Sequence, residues 1–251
     1  MCNMLKNYIV IDLEMTGLDP KRDQILEIGA VKVQQKQVVD TFSCLLHFDG
    51  KLSQKVQELT GITGQMAANG EDIERVMPEF LEFMGEDIWV GHNIIFDYSF
   101  VKQWMVNHKI SFQKYAIDTL KIARKCLPEL EKKTLDYLCG YFQISRENSH
   151  RALDDALATQ RLYEILEQKF AREEDEIFTP RELQYKAKRQ TPATPRQKMY
   201  LNELAKYHKI NLDVSLEHLS RSDASRLTDK IIQQYGRMQA LAEQASEKTH
   251  P

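Results

Sequence analysis

No two cysteines in this sequence form a CxxC pair; Cys2, Cys44, Cys126 and Cys139 are scattered along 251 residues. That spacing argues against a zinc site and against a disulfide framework, and it fits a reducing cytosol. Long apolar runs are missing too. The longest near the start, Tyr8-Ile9-Val10-Ile11, is broken at once by Asp12 and Glu14. It is too short for a signal-peptide core or a membrane span, so a soluble cytoplasmic protein is expected. There is no internal repeat, and no basic excess: 34 Lys+Arg against 37 Asp+Glu leave a net charge of −3. Taken whole, the charge makes no case for a nucleic-acid partner.

Charge counted by segment reads differently. Residues 1–180 carry 21 Lys+Arg and 29 Asp+Glu, a balance of −8, whereas residues 181–237 carry 12 and 6, a balance of +6. The two parts of the chain have opposite electrostatic character. Hydrophobic residues make up 42% of the chain, enough for a real core.

Residues 7–13 alternate and are β-branched, which predicts a buried strand, and Gly17-Leu18-Asp19-Pro20 supplies a loop. Strands follow at about 24–33 and 37–47, joined by the polar hairpin Gln34-Gln35-Lys36. The apolar spacing of Ile73, Val76, Met77, Phe80, Leu81 and Met84 predicts a helix over 71–84. Residues 88–91 read as a short buried strand; 94–108, 118–125, 134–142 and 152–170 read as helices. Strands first, then strands alternating with helices, predict an α/β fold with a mixed sheet flanked by helices, of which the ribonuclease H-like arrangement is one. The expected organisation is a domain over 1–170, a linker over 171–194, a small basic helical module over 195–237 and a disordered tail over 238–251. The linker rests on the charge run Arg172 to Glu176, the basic Lys186 to Arg189 and the proline-rich 191–195. The module has two amphipathic helices, over 196–208 and 223–235, with Ser222 as N-cap of the second.

Three short stretches carry the chemistry. Asp12-Leu13-Glu14 ends the first strand. Residues two apart on a strand face the same way, with Cα atoms roughly 6.6 Å apart. Two carboxylates projecting together from a buried strand repel each other and lose hydration unless a cation compensates. Gly91-His92-Asn93-Ile94-Ile95-Phe96-Asp97 follows a predicted strand and opens a helix, with Asp97 near the helix start. His150-Arg151-Ala152-Leu153-Asp154-Asp155 opens the last long helix. Steps of three and four from Asp155 run through Ala158, Leu162 and Leu166, which puts Asp155 on the inward face, whereas Asp154 shares a side with Arg161. Taken alone, each stretch has a bland explanation: a salt-bridged strand end, an aspartate compensating a helix dipole, a loop histidine. Together they supply four hard carboxylates and one histidine with no paired thiols, a set that favours Mg²⁺ or Mn²⁺ over zinc. Two such ions can hold the attacking water and the leaving oxygen of a phosphodiester.

The residues from Asp12 to Gly17, from His92 to Asp97 and from His150 to Asp155 resemble the three motifs of the DEDDh (DnaQ-like) 3′–5′ exonuclease family. The likeness extends over residues 5–170 and includes Leu59-Thr60-Gly61-Ile62-Thr63. It implies that Asp12, Glu14, Asp97 and Asp155 hold two divalent cations, Mg²⁺ or Mn²⁺, and that His150 is the general base. It implies that Thr16, Gly17 and Leu18 hold the 3′-terminal nucleotide and that His92 and Phe96 line the site. The first motif, Glu14 to Pro20, is similar to oligoribonucleases and the second to polymerase-associated exonucleases. A 3′–5′ exonuclease on single-stranded or frayed DNA is therefore expected. An exoribonuclease is the alternative, and a non-catalytic binding module the reading from another class. A DNA polymerase is a candidate partner. Thr194-Pro195-Arg196-Gln197, Tyr200-Leu201 and Leu219-Ser220-Arg221 resemble a small helical module appended to some bacterial and phage proteins; its charge suits either phosphate binding or a solvated face.

Overall fold

The computed structural model describes residues 5–146, 150–212, 214, 216 and 219–238. The chain divides into two compact units, residues 1–188 and 189–251.

In the first unit the strand β1 (Tyr8–Met15) lies inside the sheet. Its side chains alternate between faces. Ile9, Ile11, Leu13 and Met15 join one apolar cluster, while Tyr8 and Val10 join another. β1 pairs antiparallel with β2 (Ile25–Gln34), which pairs antiparallel with β3 (Gln37–Leu45). Gln35 and Lys36 turn between them at φ of 50° and 64°, the positive-φ geometry whose twist suits a tight hairpin. Two short helices, α1 (Gln54–Thr60) and α2 (Gly64–Ala68), then lead to α3 (Ile73–Met84), N-capped by the Asp72 side chain.

On its other side β1 pairs in parallel with β4 (Trp89–Gly91), which leads into α4 (Ile95–Asn107). β4 pairs in parallel with β5 (Tyr115–Asp118), followed by α5 (Thr119–Cys126), α6 (Leu135–Tyr141) and the long α7 (Ala152–Phe170). β6 (Arg181–Glu182) closes the edge antiparallel to β5. The order is β3-β2-β1-β4-β5-β6. α3 and α4 cover one face of the sheet; α5, α6 and α7 cover the other. Leu162 and Leu166 of α7 are fully buried, each contributing about 1.5–3 kcal/mol by leaving water.

This is the mixed sheet with flanking helices read from the sequence, with differences in detail. α1, α2 and β5 were not anticipated. The stretch 171–194, expected to be a linker, is partly built into the first unit. Phe178 is buried in the α7-side cluster, β6 adds to the sheet, and Leu183 enters the opposite cluster. Its charge run masked two isolated apolar anchors that were sufficient to tie it down.

The second unit pairs α8 (Pro195–Tyr207) with α9 (Arg221–Tyr235) around Leu201, Leu204 and Ile231. Both helices start beside the short bridge Pro192–Ser220, and at their far ends His208 Nε2 lies 3.0 Å from the Gly236 carbonyl oxygen, so they run parallel. Thr194 and Gln197 form a capping box on α8. The N-cap of α9 is Ser220, not the expected Ser222: its Oγ accepts from the Asp223 amide at 3.1 Å. The bridge holds Ser220 extended, so the helix starts two residues earlier. Of the tail expected over 238–251, residues 239–251 lie outside the described residues. No described helix is long and apolar enough to cross a membrane.

Candidate active site

The α7-facing side of β1 changes character along the strand. Tyr8 and Val10 are apolar and buried; the next two residues on that side are Asp12 and Glu14. β2 determines what reaches them. Gly29 pairs with Asp12 in the ladder, and a Cβ at Gly29 would lie 2.1 Å from the Ala152 carbonyl carbon. The missing side chain lets the first turn of α7 rest on the sheet beside Asp12. Glu27, only 2% exposed, fixes that turn. Its Oε2 accepts from the Ala152 amide at 3.1 Å, and its carboxylate takes Nε (3.1 Å) and Nη2 (2.5 Å) of Arg151. A β2 carboxylate thereby serves an α7 N-terminus whose N-cap residue makes no side-chain cap of its own. One turn along, Asp155 meets the strand acids: Asp12, Glu14 and Asp155 each offer an oxygen within 4.8 Å of the others.

Asp97 arrives by a different route. β4 ends at Gly91, opposite the middle of β1, so the Leu13 amide has no β4 carbonyl to bond. Asp97, in the first turn of α4, supplies the acceptor: its Oδ1 takes the Leu13 N–H at 2.9 Å. It is buried and stands beside the triad without belonging to it.

Crowded acids in low dielectric resist ionisation. Burial pushes Asp12 well above the usual carboxylate range, with Asp97, Glu14 and Asp155 adding to it. Glu14 is pushed up to about 8, by burial first and then by Asp155 and Glu27. Asp97 rises to about 7 through burial, opposed by its own backbone amide and that of Leu13. Asp155 is also raised by burial, though Arg146 and His150 oppose it. A set of hard oxygen donors, three of them converging and short of compensating charge, fits a divalent cation of the Mg²⁺ or Mn²⁺ type.

The other sequence-predicted residues divide. His150 precedes α7 at φ 65°, with Nε2 3.6 Å from Asp136 Oδ2 of α6. Both ring nitrogens of His92 are occupied by the fold: Nδ1 meets Thr119 Oγ1 at 2.9 Å and Nε2 the Lys133 carbonyl at 2.8 Å. Phe96 packs edge-on to Phe100 with centroids 5.4 Å apart. Thr16 Oγ1 accepts the Gln24 amide at 3.0 Å, and a Cβ at Gly17 would lie 2.5 Å from the Asp23 carboxylate. Leu18, next in the chain, is 80% exposed. Three residues at the site were not singled out from the sequence: Glu27, Asp136 and Arg146. Glu27 did carry a signal, an acid inside an apolar strand, Ile25-Leu26-Glu27-Ile28, that requires a partner.

Comparison with known proteins places this geometry. The exonuclease family model RNase_T matches residues 9–163. DNA polymerase III PolC-type from Clostridium perfringens is 38% identical over 170 residues, which is 68% of this chain and 12% of that protein. The chain thus spans only a small part of the polymerase it matches. DNA polymerase III subunit epsilon from Aquifex aeolicus is 36% identical over 163 residues, 64% of this chain and 81% of that one. Among solved structures, Exonuclease X in complex with 5′ overhanging duplex DNA is 26% identical with a TM-score of 0.55, covering 68% of this chain and 99% of its own. The mixed sheet flanked by helices is the ribonuclease H-like exonuclease fold.

Proposed function

Since the chain belongs to the RNase_T exonuclease family, we propose that it removes nucleoside monophosphates from the 3′ end of single-stranded or frayed DNA. Asp12, Glu14, Asp97 and Asp155 are the residues that hold two divalent cations. When bound, Mg²⁺ or Mn²⁺ supplies the positive charge that makes water nucleophilic near neutral pH and offsets charge on the leaving oxygen. In the reaction a water oxygen bonds to phosphorus, the bond to the 3′ oxygen of the preceding nucleotide breaks, and the His150 imidazole takes the water's proton. The products are a nucleoside 5′-monophosphate and a strand one residue shorter.

The remaining residues bind and orient. The turn from Thr16 to Leu18 is braced from below by Asp23, and the exposed Leu18 side chain is available to pack on a terminal base. Phe96 offers an apolar wall, and His92 contributes shape only, because its ring nitrogens are engaged. The observation that carries this reading is the convergence of Asp12, Glu14 and Asp155, contributed by the first strand and the last helix of the first unit. The parallel likeness to polymerase subunits supports DNA as substrate and a polymerase as partner.

The test is product analysis on matched 5′-labelled DNA and RNA oligomers with Mg²⁺ or Mn²⁺. A ladder that shortens from the 3′ end, faster on DNA and abolished by EDTA, is expected. Faster loss of RNA would move the assignment to an exoribonuclease, equal loss would leave the DNA preference without support, and inertness on both would remove the exonuclease reading.

A further inference from the structure

Arg146 lies between α6 and α7 and is nearly buried, its side chain 11% exposed. One arm of its guanidinium, Nη1, donates to Asp155 Oδ1 at 2.6 Å; the other, Nη2, donates to the Asp136 carboxylate. Asp155 belongs to the converging triad, and Asp136 also faces His150. Arg146 therefore joins the triad to the histidine through two carboxylates. Of the other acids acting on Asp12, Glu27 holds Arg151 and Asp97 holds the Leu13 amide.

A guanidinium and a divalent cation on one carboxylate face each other as like charges at short range, where little solvent screens them. Stabilising the metal-free carboxylate by an ion pair also lowers the free energy gained when a metal replaces that pair. Both effects have the same sign. Resting on the reading of the triad as a cation site, we propose that Arg146 is a positioning residue that acts as the site's resident counter-cation. It holds Asp155 in place while no metal is bound and loosens that hold when a divalent cation enters. Because its second arm is anchored on Asp136, the guanidinium pivots on release and remains beside the site. A lysine could not do this, since a single ammonium lacks the planar fork that reaches two carboxylates at once.

The test is Mn²⁺ binding to the full chain without substrate, by calorimetric titration, for the wild type, Arg146→Gln and Arg146→Lys. Thermal melts in EDTA and in saturating Mn²⁺ accompany it. Arg146→Gln is expected to bind Mn²⁺ roughly tenfold more tightly, to melt lower than wild type in EDTA, and to gain more from Mn²⁺. Arg146→Lys should fall between, and it serves as the measure if the glutamine variant does not fold. A merely structural arginine gives the opposite sign, so unchanged or weaker Mn²⁺ binding in the variants overturns the proposal while wild-type binding leaves the site reading intact. A wild-type protein that binds no Mn²⁺ removes both.

Discussion

Asp12 and Asp155 come from opposite ends of the first unit and share one cation-sized space, so neither can be replaced by the other. Asp12→Asn and Asp155→Ala are each expected to lower kcat by at least about 10³-fold and to lose most Mn²⁺ affinity, read by single-turnover assays and metal titration. His150→Ala should separate those effects. A lost general base slows turnover about 10²–10⁴-fold with Mn²⁺ affinity retained, and a variant unable to bind metal would make His150 a ligand. The raised acids also fix a pH dependence. With Glu14 at about 8 and Asp97 at about 7 in the folded chain, the native state binds more protons than the unfolded one from about pH 4 to 8. Stability without metal must then fall as pH rises through that window. Melting in EDTA should therefore be highest at mildly acidic pH, and Mn²⁺ should flatten the trend by compensating the charge; a flat profile in EDTA would show the acids to be already compensated. The convergence of Asp12, Glu14 and Asp155 was legible in the sequence because motif spacing carries it. Asp136 and Arg146 were not, because their significance lies in what they touch across the α6–α7 loop, and no periodicity encodes that.

Among the elements, α7 was read correctly from end to end, Ala152 to Phe170. Its apolar stripe is long, and the motif marks its start. α1, α2 and β5, of seven, five and four residues, are too short for a period to stand out. β6 exists only because β5 offers it an edge. Ser220 and Ser222 are both competent caps, and the bridge to Pro192, 28 residues away, decides between them. The docking of α7 on β2 gives a sharp test at this scale. Gly29→Ala forces a methyl into the Ala152 backbone, and overpacking of that kind destabilises by about 1–3 kcal/mol. Because the helix start must lift, Mn²⁺ affinity should drop along with the melting temperature. Preserved affinity in a destabilised variant would show that the strain is absorbed elsewhere.

At the level of the whole molecule, the second unit folds around its own small core and is net positive over residues 189–251, where the first unit is net negative. A chain ending at Lys188 is expected to keep hydrolysing short oligomers but to bind longer ones less tightly. Its dependence of log affinity on log salt should be shallower, by about 0.7 for each phosphate of a single strand that it no longer neutralises; an unchanged slope would make the second unit a packing element. The order in which the acids occur along the chain has a different consequence. A growing polypeptide emerges with Asp12, Glu14 and Asp97 long before Asp155, and until α7 settles against Gly29 the triad is one member short. On the proposed reading, a prematurely terminated copy lacking α7 is expected to be inert toward DNA, because the converging set is complete only in a finished first unit.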